Sequence, residues 1–265
     1  MSFVDDPEVR ARVDRLELPF NKDGLDPFGV SKKDLVRFFS MLAWFYRNYF
    51  KVKVTGIEHV PAHGRAMIIG NHSGGIALDG AMVLTSILLE CEPPRLAQGM
   101  VEKFLASVPF ASQWGCRTGQ LTGVPESAER LLADERLLMI FPEGARGTAK
   151  LYWERHTLVE FGTGFMRLAL ATKTPIIPFA FLGAGEAIPT VINLHRLGRL
   201  LGAPYIPLTP WLLPIPRPVP LSIVYGEPMT FRGSSTEEDA VIEGHVDLVK
   251  ERILQLMEQG RGAGA

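Results

Sequence analysis

The chain has 265 residues with nearly balanced charge, 28 Lys and Arg against 29 Asp and Glu. A formal net charge of −1 provides no overall positive field, so no nucleic-acid partner is expected. The two cysteines lack CxxC spacing, which excludes the usual structural zinc site and favours free thiols in a reducing compartment. The first residues lack the apolar core of a signal peptide, and no run approaches the ~20 apolar residues of a membrane-spanning helix. These features predict a cytoplasmic protein without a bound metal.

Residues 1–50 are predicted to form an N-terminal helical segment that precedes a larger domain over residues 51–265. A short helix and an irregular linker are expected first, followed by an aromatic-rich helix that begins near Ser31 or Asp34. Apolar residues recur at helical spacing along this second helix, and basic residues flank it. The apolar residues at helical spacing are Leu35, Phe38, Phe39, Leu42, Phe45, Tyr46 and Tyr49.

Two interpretations of this aromatic helix, residues 31–54, are open. An aromatic face with basic ends is typical of a segment that lies on a membrane surface. The same face also suits a helix that packs on the core of the protein, with its charges solvated. The balance is almost even, and the first interpretation is slightly preferred; it predicts a peripheral protein at the cytoplasmic face of the membrane.

Strands and helices alternate from residue 51 onward. Apolar runs predict strands, and amphipathic runs predict helices. The predicted strands are 51–60, 66–70, 95–100, 136–141, 174–183 and 220–229, and the predicted helices are 77–90, 101–110, 126–135, 156–173 and 236–260. This order predicts an α/β fold, a mostly parallel sheet covered by helices on both faces. Residues 188–220, rich in Leu and Pro, break the order and form either a buried crossover or an exposed apolar rim of a lipid site.

Polar residues follow two of the predicted strands. His72 and Asp79 follow AMIIG, and Glu143 and Arg146 follow LLMIF. Active sites in open parallel sheets form at the C-terminal ends of strands, so both clusters are expected to face one crevice. In that crevice His72 would be a base and Asp79 the carboxylate that orients it. Glu143 and Arg146 would supply a carboxylate and a cation.

Three segments in this order resemble the glycerolipid acyltransferase superfamily, the PlsC-type lysophosphatidic acid acyltransferases and their monoacylglycerol acyltransferase-like relatives. NHSGGIALD, residues 71–79, is similar to the family's first motif, an Asn-His followed by an Asp. FPEGARG, residues 141–147, is similar to its Phe-Pro-Glu-Gly-x-Arg motif and is the most specific signal. Residues 162–181 resemble the helix-strand segment with the Pro-Ile-x-Pro block. This last segment and the Pro-rich late region favour the monoacylglycerol acyltransferase-like branch.

The resemblance implies a lipid-metabolic enzyme that transfers an acyl chain from a thioester, on coenzyme A or acyl carrier protein, to a hydroxyl of a lysophospholipid, glyceride or related lipid. No bound cofactor is implied. His72 would take the hydroxyl proton and Asp79 would hold the imidazole. Backbone N–H groups near Gly74 or Gly144 are candidates to receive the oxyanion. The residues implied in acceptor binding are Glu143, Gly144 and Arg146, with Arg117 and Lys150 as weaker candidates for added positive charge.

The spacing of the first motif departs from the family pattern. Six residues separate His72 from Asp79, where the family usually has four. On a continuous helix the two would lie ~10 Å apart along the axis, too far for a hydrogen bond. Pairing therefore requires Ser73-Gly74-Gly75 to form a non-helical turn that folds Asp79 back. Two alternatives to the acyltransferase are open. One is an acyl thioesterase, in which water replaces the acceptor. The other, suggested by the longer spacing, is a catalytically inactive lipid-binding protein of the same fold.

Overall fold

A computed structural model describes residues 4–101 and 111–262 of the chain. Within these ranges the strands are β1 Lys53–Thr55, β2 Ala66–Gly70, β3 Ala97–Val101, β4 Leu121–Thr122, β5 Leu137–Ile140, β6 Ile176–Leu182, β7 Ile192–Asn193, β8 Pro207–Leu208 and β9 Ser222–Tyr225. The helices are α1 Pro7–Asp14, α2 Lys32–Trp44, α3 Leu78–Glu90, α4 Ala111–Arg117, α5 Pro125–Ala133, α6 Ala145–Thr148, α7 Gly164–Thr172, α8 Ala184–Ala187, α9 His195–Leu200 and α10 Asp239–Gly262.

Seven of these strands form one sheet in the order β1-β9-β6-β2-β5-β3-β4. Every neighbouring pair is parallel except β6 and β9, which are antiparallel. The predicted α/β fold with a mostly parallel sheet is therefore confirmed. β7 and β8 pair separately as a two-stranded ribbon.

Helices cover both faces of the sheet, and the central strand β2 shows how its sequence allows this. Ala66 and Ile68 point into a core shared with α1, α2 and α3. Met67 and Ile69 point to the opposite face, into a core shared with α5, α7 and α10. Side chains alternate along a strand, so a strand buried on both faces must be apolar at successive positions. This explains the unbroken AMII run.

The aromatic helix α2 packs on the core. Its N-cap is Ser31, whose hydroxyl accepts a hydrogen bond from the Asp34 N–H at 3.3 Å. Of the seven apolar positions, Leu35, Phe38, Phe39, Leu42 and Tyr46 are buried, and Phe45 and Tyr49 are half-buried. This arrangement is the second of the two interpretations. In this conformation the aromatic face contacts protein rather than solvent.

Two predicted elements are shorter in the structure, for physical reasons. Residues 156–163 were expected to be helical, but α7 begins only at Gly164. The backbone before it is bound instead to the loop after β5, where the Gly162 N–H donates to the Pro142 carbonyl at 2.9 Å. β1 ends at Thr55 because Gly56 adopts a left-handed φ of 76° and a 3₁₀ turn follows. The helix predicted over 101–110 lies outside the described residues, except Val101, which ends β3.

Residues 188–220 form β7, α9, β8 and a following turn at the surface. Many of their large apolar side chains are exposed, as in the second of the two alternatives for this region. In the described part of the chain, no helix combines the length and apolarity needed to cross a bilayer.

Candidate active site

His72 and Asp79 meet at the C-terminal end of β2. Their side chains lie 2.7 Å apart, from Nδ1 of the imidazole to Oδ2 of the carboxylate. The histidine is largely buried and the aspartate fully so. An ionised carboxylate only accepts hydrogen bonds, so this contact requires the proton on Nδ1, and in the neutral ring Nε2 then has the lone pair. The ring therefore has the tautomer that can take up a proton at Nε2.

The turn that the sequence requires between the two residues is present. Gly74 and Gly75 both have left-handed φ angles, 93° and 71°, and α3 begins only at Leu78. The same carboxylate oxygen that binds the imidazole also accepts the Ser73 N–H at 2.8 Å, which fixes the turn. A Cβ on Gly75 would lie 2.7 Å from the Thr190 hydroxyl oxygen, so backbone conformation and space both favour glycine.

The imidazole of His72 is also held by the loop after β5. The Phe141 ring stacks on it with centroids 4.0 Å apart and an interplanar angle of 12°. From α6, Gly147 approaches so closely that a Cβ there would lie 2.7 Å from the His72 Cβ. These contacts, with the bond to Asp79, fix both the position and the rotation of the ring.

Glu143 binds the protein itself from both of its carboxylate oxygens. Oε1 accepts the backbone N–H of His72 at 2.8 Å, and Oε2 accepts that of Val159 at 2.9 Å. The Lys150 ammonium lies 3.1 Å and 2.8 Å from the two oxygens and also donates to the Thr157 carbonyl at 2.9 Å. Glu143 is 1% exposed and Lys150 5%. The pair therefore joins the loops after β2 and β5 to the segment before α7.

Arg146 lies at the surface of the same loop. Its side chain is 58% exposed and pairs with Glu160 at 2.9 Å, and it also donates to the Glu160 carbonyl at 3.1 Å. Exposed pairs of this kind contribute little to stability, so the guanidinium is free to exchange partners. Gly144 precedes it with a φ of 56°, and its N–H is used by the Phe141 carbonyl at 3.0 Å.

Comparison with known proteins identifies the family. Residues 51–182, which contain both polar clusters, match the family model described as Acyltransferase. The fold is that of the 1-acyl-sn-glycerophosphate (LPA) acyltransferase PlsC from Thermotoga maritima, with a TM-score of 0.55. The chain belongs to the glycerolipid acyltransferase superfamily. Residues 51–182 are an acyltransferase domain by family, and the resemblance seen in the sequence is confirmed.

The chain has sequence relatives in mycobacteria. It is 32% identical over 228 residues to an uncharacterized protein of Mycobacterium tuberculosis and 33% identical over 227 residues to one of Mycobacterium leprae. These alignments cover 82% of this chain but only 63% and 62% of the relatives, so the chain spans less than two thirds of their length. The match to Thermotoga maritima PlsC covers 85% of this chain and 81% of that chain at 16% identity, which establishes the fold alone.

The contacts in the structure differ among the residues predicted to bind the acceptor. Glu143 and Lys150 were expected to bind the head group, but their buried charges are engaged with each other and with the backbone. Arg146 pairs with Glu160 rather than with Glu143. Of the two predicted cations in this cluster, Lys150 is buried and Arg146 is exposed to solvent, where it can reach an acceptor.

Arg117 is not brought to this cluster. Its guanidinium lies 3.4 Å from Asp34 in the first turn of α2, and its carbonyl accepts the Ser31 N–H at 2.9 Å. Arg117 also lies before the N-terminal end of β4, whereas His72 and Glu143 follow the C-terminal ends of β2 and β5, which belong to the same parallel sheet. The structure therefore gives no support to its role in acceptor binding.

Three residues of this site were not singled out from the sequence. Phe141 and Gly147 flank His72, as described above. The Asn71 side chain donates to the Phe181 carbonyl at 2.9 Å and accepts its N–H at 2.7 Å, which ties the end of β2 to β6. All three lie within the motif segments 71–79 and 141–147. Their position in a motif could therefore have identified them as site residues, but it does not predict which residues they contact.

Proposed function

We propose that this acyltransferase moves an acyl chain from a thioester, on coenzyme A or acyl carrier protein, to a hydroxyl of a lysophospholipid, glyceride or related lipid. The observation that carries the proposal is the 2.7 Å contact between His72 Nδ1 and Asp79. It leaves Nε2 as the basic nitrogen of an oriented ring. General-base assistance of this kind contributes typically ~10²–10⁴-fold to a rate.

In the proposed reaction, Nε2 of His72 takes the proton of the acceptor hydroxyl as its oxygen attacks the thioester carbonyl. Asp79 stabilises the imidazolium that forms, and the carbonyl oxygen becomes an oxyanion. The carbon–sulfur bond then breaks, and the thiolate leaves with the proton from the imidazolium. The products are the new ester and the free thiol, and the histidine returns to its starting state.

A direct transfer suits this chain better than an enzyme thioester. Cys91 is buried, and desolvation raises the pKa of its thiol to about 12, which suppresses the nucleophilic thiolate. Burial also raises the pKa of Cys116, and the charge of Asp26 adds to this shift. Holding both substrates side by side supplies much of the rate without a covalent intermediate.

Two neighbouring groups are assigned supporting roles. Gly74 is the better candidate for an oxyanion donor, because its N–H makes no hydrogen bond within residues 4–101 and 111–262, whereas that of Gly144 is used by Phe141. Arg146 is assigned to an anionic acceptor head group, since its planar guanidinium suits phosphate. A soluble donor and a lipid acceptor meet at a membrane, which is why we place the enzyme at the cytoplasmic face.

The test is thiol release from palmitoyl-coenzyme A and from palmitoyl acyl carrier protein, with and without a panel of lysophospholipids and monoacylglycerols. The His72→Ala variant is expected to lose acceptor-dependent release by ~10²-fold or more. His63→Ala is the matched control, since His63 is exposed and pairs with Glu17 in a surface contact of 3.0 Å. Release that needs His72 but no acceptor would indicate a thioesterase. No release from either donor would contradict the proposal and favour a binding protein.

A further inference from the structure

The surface of residues 191–217 is unusually apolar. Of the eighteen large hydrophobic side chains that are exposed in the described ranges, nine lie between Val191 and Ile215. Leu200 is 80% exposed and Leu212 68%. We call the six exposed side chains at the end of α9 and in the turn after β8 the apolar rim: Leu200, Leu201, Trp211, Leu212, Leu213 and Ile215. Apolar surface concentrated in this way marks a contact site rather than ordinary solvent-facing protein.

The turn after β8 holds part of the apolar rim outward. Leu212 has a left-handed φ of 72°, a conformation that is unfavourable for leucine and natural for glycine. The Leu212 N–H donates to the Thr209 carbonyl at 2.9 Å, and the Thr209 hydroxyl donates to the Leu213 carbonyl at 2.6 Å. The indole of Trp211 donates to the Ile215 carbonyl at 3.1 Å. The turn is therefore ordered by its own hydrogen bonds while its leucines face solvent.

The charged residues within the segment that carries the apolar rim have one sign. Between Glu186 and Glu227 the chain has no Asp or Glu. It has three arginines there, Arg196, Arg199 and Arg217, all exposed. The Arg217 guanidinium lies 5.6 Å from the centre of the Trp211 ring. Exposed aliphatic and Trp side chains among cations complement an anionic lipid surface, in which apolar groups enter below phosphate head groups.

The segment that carries the apolar rim is bound to the loops of the candidate active site through Asn193 and Tyr205. Asn193 donates to the Ala149 carbonyl at 2.6 Å, just after α6. The Tyr205 hydroxyl bonds the Thr148 hydroxyl and donates to the Gly75 carbonyl at 3.3 Å. Gly75 belongs to the turn that brings Asp79 back to His72. A surface bound to the rim would therefore lie beside the loops that hold His72.

We propose that the apolar rim docks this acyltransferase on an anionic phospholipid bilayer, from which the acceptor lipid reaches His72. The identity of the acceptor rests on the proposed function, but the docking itself does not. A bilayer is favoured over a protein partner because the protruding leucines outnumber the charges and a lipid surface needs no matching shape. The rim is also better placed for this contact than residues 31–54, whose apolar face is packed on the core.

The test is flotation of the full chain with vesicles, either phosphatidylcholine alone or an equal mixture with phosphatidylglycerol. The Leu212→Ser/Leu213→Ser variant is expected to lower partitioning into the mixed vesicles at least about tenfold. Half-burial of each leucine in the bilayer contributes about 1 kcal/mol or more, and the sum for two leucines corresponds to that factor. The Arg196→Gln/Arg199→Gln variant should lower partitioning into the mixed vesicles by a similar factor and leave partitioning into phosphatidylcholine vesicles unchanged. The control Leu248→Ser/Leu254→Ser removes two exposed leucines from α10 and should leave partitioning unchanged.

Several results would overturn this proposal. Unchanged partitioning of the Leu212/Leu213 variant would do so, as would an equal loss in the α10 control. A native dimer that this variant converts to a monomer in light scattering would assign the rim to a second copy of the chain. Retained vesicle binding with lost binding of acyl carrier protein would assign it to a protein partner. Vesicle binding is measured without turnover. The docking proposal is therefore tested even if the proposed acyl transfer is not observed.

Discussion

The buried ion pair between Glu143 and Lys150 provides the sharpest test of how this site is built. Lys150→Met removes the cation that lies within 3.1 Å of both carboxylate oxygens and leaves Glu143 buried without a counter-charge. Breaking one side of a buried pair costs about 3–5 kcal/mol. For a chain of this size, that loss lowers the melting temperature by roughly 6–20 °C. The double variant Glu143→Gln/Lys150→Met removes both charges and should recover most of it, since the amide oxygen still accepts one backbone N–H.

Calorimetry or urea unfolding measures the stability of the single and double variants relative to the wild type. Steady-state kinetics measures their activity. We expect kcat to fall in the Lys150→Met variant, because Glu143 holds the backbone of His72 at 2.8 Å, whereas KM for the acceptor should change little. Lys33→Met is the control, because Lys33 is exposed at the start of α2. A raised acceptor KM with an unchanged melting temperature would refute this reasoning and return Glu143 and Lys150 to the acceptor site.

Three further predictions concern the neighbours of this pair. Asp79→Asn should lower kcat by about 10²–10⁴-fold at nearly constant KM in the thiol-release assay, because the amide can donate to Nδ1 and favour the wrong tautomer; an unchanged kcat would exclude Asp79 from that role. Gly75→Ala should lower the melting temperature more than Gly202→Ala, since both glycines have left-handed φ angles but only a Cβ at Gly75 meets other atoms within 4 Å; equal losses would contradict the steric argument. Arg146→Gln should raise KM for phosphate-bearing acceptors only, with a stability change below about 1 kcal/mol; equal effects on monoacylglycerols would argue against phosphate recognition.

The fold and the His72–Asp79 pair could be predicted because they depend on local signals. Apolar runs alternating with amphipathic ones were enough to predict the parallel sheet. Two adjacent glycines indicated the turn that closes the gap between His72 and Asp79. The role of Glu143 could not be predicted in this way, because it depends on Val159 and Thr157. Those residues lie in a segment whose periodicity predicted a helix, and their backbone bonds to the loop after β5 prevented it.

Apolar periodicity also cannot distinguish a face that packs on protein from one that contacts lipid, since both require the same side chains. The helix α2 and the apolar rim illustrate the two outcomes. Leu35 and Phe39 on α2 are fully buried because α1 and α3 cover that face. Leu200 and Leu212 remain exposed because the ribbon of β7 and β8 lies outside the seven-stranded sheet. What separates the two surfaces is the tertiary arrangement around them, and this is why the proposed membrane contact lies on the segment that packs against the turn after His72.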